Sequence, residues 1–123
     1  MSDGLLLFAH GARDPAWARP FEIVTERLRA AKPGTPLVMA YLEFMSPGME
    51  DAAAQLAAAG CTRVHVMPLF LGTGGHVRRD VPLLLDRLRE QHGDAIEWQL
   101  HAPLGEQEAV LQAIALACLN VLE

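Results

Sequence analysis

Leu5-Leu6-Leu7-Phe8-Ala9, followed by His10-Gly11-Ala12-Arg13-Asp14-Pro15, is the stretch on which the fold turns. Five apolar residues without alternation suit a strand buried on both faces. Asp14-Pro15 reads as a helix N-cap followed by proline at the first helical position. Trp17, Phe21, Val24 and Leu28 then recur at helical spacing and mark one apolar face. Lys32-Pro33-Gly34 stops the helix. Strand and helix are joined by a loop that opens with a histidine.

Working outward, the unit recurs. Leu37 to Leu42 reads as a second strand, with Ser46-Pro47 as the next cap-and-proline pair. Met49, Ala52, Ala53 and Leu56 mark a second helix that Gly60 ends. Arg63 to Met67 forms a third strand, extended by Pro68 to Leu71, and a Gly-rich loop over 72–75 follows. Val77, Val81, Leu84, Leu85 and Leu88 face one way on a third helix. Pro82 falls inside that pattern, so the regular helix is expected to begin near Asp80. Ile96 to Leu100 reads as a fourth, more exposed strand. Val110, Ala113, Ile114, Ala117 and Val121 give a last helical face, on which Cys118 is expected to be core.

Four successive strand–helix units predict an α/β fold: a four-stranded parallel sheet of order 2-1-3-4, flanked by helices on both faces. A single domain over residues 1–123 is expected. Open sheets of this class bind ligands beyond the carboxyl ends of their strands, at the switch point between strands 1 and 3. The loops there are residues 10–14 and 72–80.

Composition removes several function classes. A formal net charge of −5 argues against a nucleic-acid partner. No apolar run is long enough to cross a bilayer, and the N-terminus lacks a basic signal region, so a cytoplasmic protein without a membrane partner is expected. Cys61 and Cys118 form no CxxC pair and have no base beside them in sequence. The GTGGHV run at 72–77 lacks the third glycine of a dinucleotide fingerprint and follows the third strand rather than the first.

The chemistry concentrates in the two loops. If strands 1 and 3 are neighbours, His10 and His76 converge although far apart in sequence. Two neutral imidazoles suit Co²⁺, Ni²⁺, Fe²⁺ or Zn²⁺, and two ligands alone leave coordination positions open for exchange. Gly74 and Gly75 allow close backbone approach to a ligand. Glu43, after strand 2, lies at the same end of the sheet as a third ligand, a proton acceptor or a solvated carboxylate. Arg13, Arg78 and Arg79 are candidates to hold carboxylates of an anionic substrate, against local pairing with Asp14 and Asp80. His65 is expected to be a satisfied sheet histidine. His92 sits at a helix end, and His101 has no assigned role.

HGARDPAW (10–17) and PLFLGTGGHVRRDVP (68–82), with Glu43 in YLEFMSPGMED, resemble the CbiX-type sirohydrochlorin chelatases, and the likeness runs over roughly positions 5 to 105. The resemblance implies the fold of the class II chelatases and a lyase that inserts a divalent metal into sirohydrochlorin, for cobalamin or sirohaem biosynthesis. It implies that His10 and His76 bind metal, with Co²⁺, Fe²⁺ or Ni²⁺ as substrate and no organic cofactor. It further implies a homodimer, because the short form is half of the usual two-domain enzyme. Ala12 departs from the serine frequent in the family. The alternative is a metal or tetrapyrrole carrier without turnover.

Overall fold

The computed structural model describes residues 2–72 and 74–122, with His76 described in its backbone alone. The chain runs β1 (Asp3–Ala9), a 3₁₀ turn (Pro15–Ala18), α1 (Arg19–Ala31), β2 (Leu37–Tyr41), α2 (Met49–Ala58), β3 (Arg63–Pro68), α3 (Gly75–His92), β4 (Glu97–Leu100) and α4 (Glu108–Val121). The sheet order is β2-β1-β3-β4, with every pairing parallel. This is the order expected from the repeating units.

The sheet separates two cores. On one face, Leu6, Phe8, Val64 and Val66 meet Ala52, Ala53 and Leu56 of α2 and Val81, Leu85 and Leu88 of α3. On the other, Leu7, Ala9, Met39 and Tyr41 meet Ala18, with Trp17, Phe21 and Leu28 packed against them. The unbroken apolar run of β1 thus serves both sides, as a central parallel strand must.

Several boundaries differ from the expectation. Asp14 does cap, its Oδ1 accepting the Ala16 N–H at 2.9 Å, but it heads the 3₁₀ turn, and α1 begins later, at Arg19-Pro20. Of the expected apolar face of α1, Val24 is exposed. The N-cap of α2 is Gly48 rather than Ser46. Helix α3 begins at Gly75 and not near Asp80, with Arg78 N–H donating to the Gly74 carbonyl at 3.2 Å. Pro82 sits inside it. Its missing N–H costs one bond, and the burial of Val81, Leu85 and Leu88 offsets that loss.

The largest departure is α4. The helix is present, but the expected packed face is not: no described residue of α4 is buried, and Cys118 is exposed. The helix leaves the short turn Leu104–Glu106 and rests mainly on that turn rather than on the sheet. Apolar side chains occur all round it, so no single stripe directs it onto its own sheet.

Candidate functional site

The site is built where β1, β2 and β3 end. Leu42 N–H donates to the Ala9 carbonyl and Glu43 N–H to the His10 carbonyl, both at 3.0 Å, so the loops after β1 and β2 are stitched backbone to backbone. The stitch needs Gly11. It has φ of 88°, and a Cβ there would run into the Glu43 carbonyl oxygen. His10 is exposed, and its ring lies 4.6 Å from the ring of Phe70, centroid to centroid. Phe70 is buried and meets Phe8 edge-on at 5.2 Å. Leu69 N–H donates to the Phe8 carbonyl at 2.8 Å, holding the segment after β3 against the end of β1.

Beside His10 the molecule opens into a cavity of about 290 Å³ lined by Phe70, Val77, Arg78, Val81, His101 and Glu106, among others. Phe70 is therefore the wall shared by His10 and the cavity. Gly74 caps α3 and Gly75 is its first residue, so the first turn of α3 borders the same space. The backbone of His76 belongs to that turn, and its side chain lies outside the described residues. The expected convergence of the two histidine side chains therefore falls outside the described residues.

The other candidates separate. Glu43 is exposed, and its backbone is bonded to that of His10. Arg13 places its guanidinium 4.5 Å from the ring centroid of Phe44, a residue with φ of 66° in the loop after β2. Asp14 is engaged by the Ala16 amide. Arg78 lines the cavity. Arg79 donates from Nε to the Gly75 carbonyl at 3.3 Å and stays exposed. Among the described residues no group of three or more His, Cys, Asp or Glu side chains could hold a metal ion.

A second constellation was not picked out as a site from the sequence. His65 on β3 places Nδ1 at 2.9 Å from His101 Nε2 and Nε2 at 3.2 Å from Asp3 Oδ2. Arg63 holds Asp3 with two bonds, Nε to Oδ1 at 3.1 Å and Nη2 to Oδ2 at 3.0 Å. The Arg63 bonds, then the His65 bond, hold the Asp3 carboxyl below its ordinary range, and Asp3 in turn raises Arg63. His65 is thus a satisfied sheet histidine, as expected, but its partner is the histidine left without a role. The available signal was alternation: Arg63, His65 and Met67 share one face of β3. Register then sets Asp3 opposite Arg63, which no local pattern announces. Elsewhere, burial and then Asp3 push the Cys61 thiol up, which keeps it protonated and unreactive.

The CbiX family profile matches residues 4–118. The chain belongs to the CbiX family. It is 33% identical over 112 residues to the sirohydrochlorin cobaltochelatase of Saccharolobus solfataricus, covering 87% of this chain and 86% of that one. A Marinobacter aquaeolei structure named for CbiX and cobalamin (vitamin B12) biosynthesis superposes with a TM-score of 0.86 at 29% identity, covering 98% of this chain and 97% of that one. The sirohydrochlorin chelatase SirB of Bacillus subtilis subspecies spizizenii, solved with cobalt, shares the fold. Its TM-score is 0.82 at 23% identity, over 98% of this chain and 51% of SirB, so this CbiX chain spans about half that length. No helix among the described residues is long and apolar enough to cross a membrane.

Proposed function

We propose that this CbiX chain inserts Co²⁺ or Fe²⁺ into sirohydrochlorin, with His10 and His76 as the metal-binding pair. The observation that carries the reading is the position of His10. It stands at the carboxyl end of β1 with its ring against Phe70, and Phe70 lines a cavity that the first turn of α3, to which His76 belongs, also borders. Kinship to a sirohydrochlorin cobaltochelatase supplies the reaction class. The Co²⁺ product serves cobalamin synthesis and the Fe²⁺ product sirohaem, and Ni²⁺ suits the same ligands.

Metal insertion sets three tasks. The ion must shed water yet stay weakly held, because a strongly chelating cage would keep it. Two imidazoles with open positions meet that condition. The macrocycle must be oriented. Arg78, at the cavity wall, and the exposed Arg13 and Arg79 are the candidates to hold its carboxylates, and Gly74 and Gly75 leave the start of α3 without bulky side chains. Two pyrrolic protons must leave, and Glu43, linked to His10 through the backbone, is one acceptor.

We infer that the working unit is a cytoplasmic homodimer. A cavity of about 290 Å³ falls just below the roughly 300–1,000 Å³ typical of ligand pockets, and a tetrapyrrole with its carboxylate arms needs more wall. Leu116, Leu119 and Val121 of α4 are exposed, and a parallel sheet is normally covered on both faces. A second copy supplies both the wall and the cover.

Anaerobic absorbance spectra of sirohydrochlorin with Co²⁺ or Fe²⁺ test the reaction. The protein should accelerate the spectral change over the metal-only control, and His10→Ala and His76→Ala should each remove most of that acceleration. A wild-type rate equal to the control would leave a carrier. Full activity in both variants would place the metal elsewhere.

A further inference from the structure

We propose that His101 is a proton acceptor of metal insertion alongside Glu43, held and electrostatically supported by His65 and Asp3. The inference rests on the chelatase reading above. It starts from hydrogen-bond bookkeeping along the chain Asp3–His65–His101. The Asp3 carboxylate can only accept, so His65 donates from Nε2 across the 3.2 Å contact. A neutral His65 then accepts at Nδ1, so His101 donates from Nε2 across 2.9 Å. That fixes the tautomer of His101 and leaves Nδ1 as its basic nitrogen. His101 lines the cavity whose wall, Phe70, also touches His10. The fixed base and the strand-end histidine are therefore linked through one side chain, Phe70, which lines the cavity with His101 and carries the ring of His10.

The separation has a chemical reason. A histidine that holds the metal has its lone pair engaged and cannot take a proton. A base pressed against the incoming dication is also disfavoured, because protonation places two positive charges together. His101 avoids both difficulties. A pyrrole N–H gives its proton to His101 Nδ1, and the N–H electron pair stays on the pyrrole nitrogen to bind the metal. His101 becomes an imidazolium, donating Nε2–H to His65, which donates its own Nε2–H to Asp3. The new charge is thereby set against a carboxylate on the side away from the cavity. Arg63 grips that carboxylate with two bonds and fixes its direction. His65 and Asp3 are only partly covered, with side chains 30% and 39% exposed, so water is at hand to carry the proton off. Glu43, on the His10 side, takes the other proton. Asp3 and His65 are positioning residues here, and His101 is the catalytic one.

The test is steady-state insertion of Co²⁺ by the full chain, with thermal melting to confirm folding. His101→Ala should lower kcat by about 100-fold, the low end of general-base contributions, with KM for Co²⁺ unchanged within about twofold, and added imidazole should restore part of the rate. His65→Phe and Asp3→Asn should lower kcat with KM unchanged, and Asp3→Glu should recover more of the rate than Asp3→Asn. His92→Gln, whose ring lies against Trp98 at a helix end, should match wild type. A folded His101→Ala protein with wild-type kcat overturns the proposal while leaving the chelatase reading intact. A raised KM for Co²⁺ at constant kcat also overturns it, because His101 would then be a ligand. Wild-type protein that never exceeds the metal-only control removes both readings together.

Discussion

At the scale of single residues, Gly11 carries more of the site than any charged group. Its backbone conformation is closed to L side chains without strain, and any Cβ meets the Glu43 carbonyl oxygen. Gly11→Ala should therefore destabilise by about 1–3 kcal/mol and displace His10 from Phe70. Urea unfolding checks the first effect, and the insertion rate, falling further than stability alone explains, checks the second. Asp3 makes a second prediction. Its folded-state carboxyl is depressed, first by Arg63 and then by His65, so its stabilisation is full above the ordinary value near ~4 and is lost as pH falls through the depressed one. Asp3→Asn should flatten that acid-side loss in melting curves while leaving the neutral-to-basic profile parallel to wild type. Much of this scale was readable beforehand. His10 and its glycine stand out because a helix cannot begin at such a pair. His101 did not, because its partner comes from a strand 36 positions away and only sheet register brings them together.

At the scale of elements, β1 and α3 were the informative pair. An apolar run without alternation means burial on both faces, and the observed strand feeds both cores. Helix α3 starts before the position that Pro82 alone predicts, because burial around it outweighs proline's local cost. Val81, immediately before Pro82, and Leu85 after it are almost wholly buried. Leu85→Ala should accordingly cost about 2–5 kcal/mol, read by chemical denaturation, and should loosen the first turn of α3 enough to weaken metal binding. The early start of α3 bears on the proposed metal pair. It puts the backbone of His76 in a helical turn capped by glycine rather than in a free loop. The two motifs quoted from the sequence thus adjoin β1 and α3, which share one core.

At the scale of the whole molecule, the sheet order followed from the repeating units, but the placement of α4 did not. Apolar periodicity predicts that a helix will be covered and is silent on which chain covers it. Leu116→Glu combined with Leu119→Glu, both on exposed positions of α4, should yield a folded monomer by sedimentation and lose most of the insertion rate while keeping helix content. Wild-type protein that sediments as a monomer at micromolar concentration would refute the paired assembly. The uncovered helix has one more consequence, and it concerns kinetic order. An enzyme whose cavity is completed by a second copy has no fixed activity per chain. Below the dissociation constant of the pair, its rate grows with the square of protein concentration, and above it the growth is linear. On the proposed pairing, metal insertion would switch on as the chain accumulates, and the level of expression would itself act as the regulator.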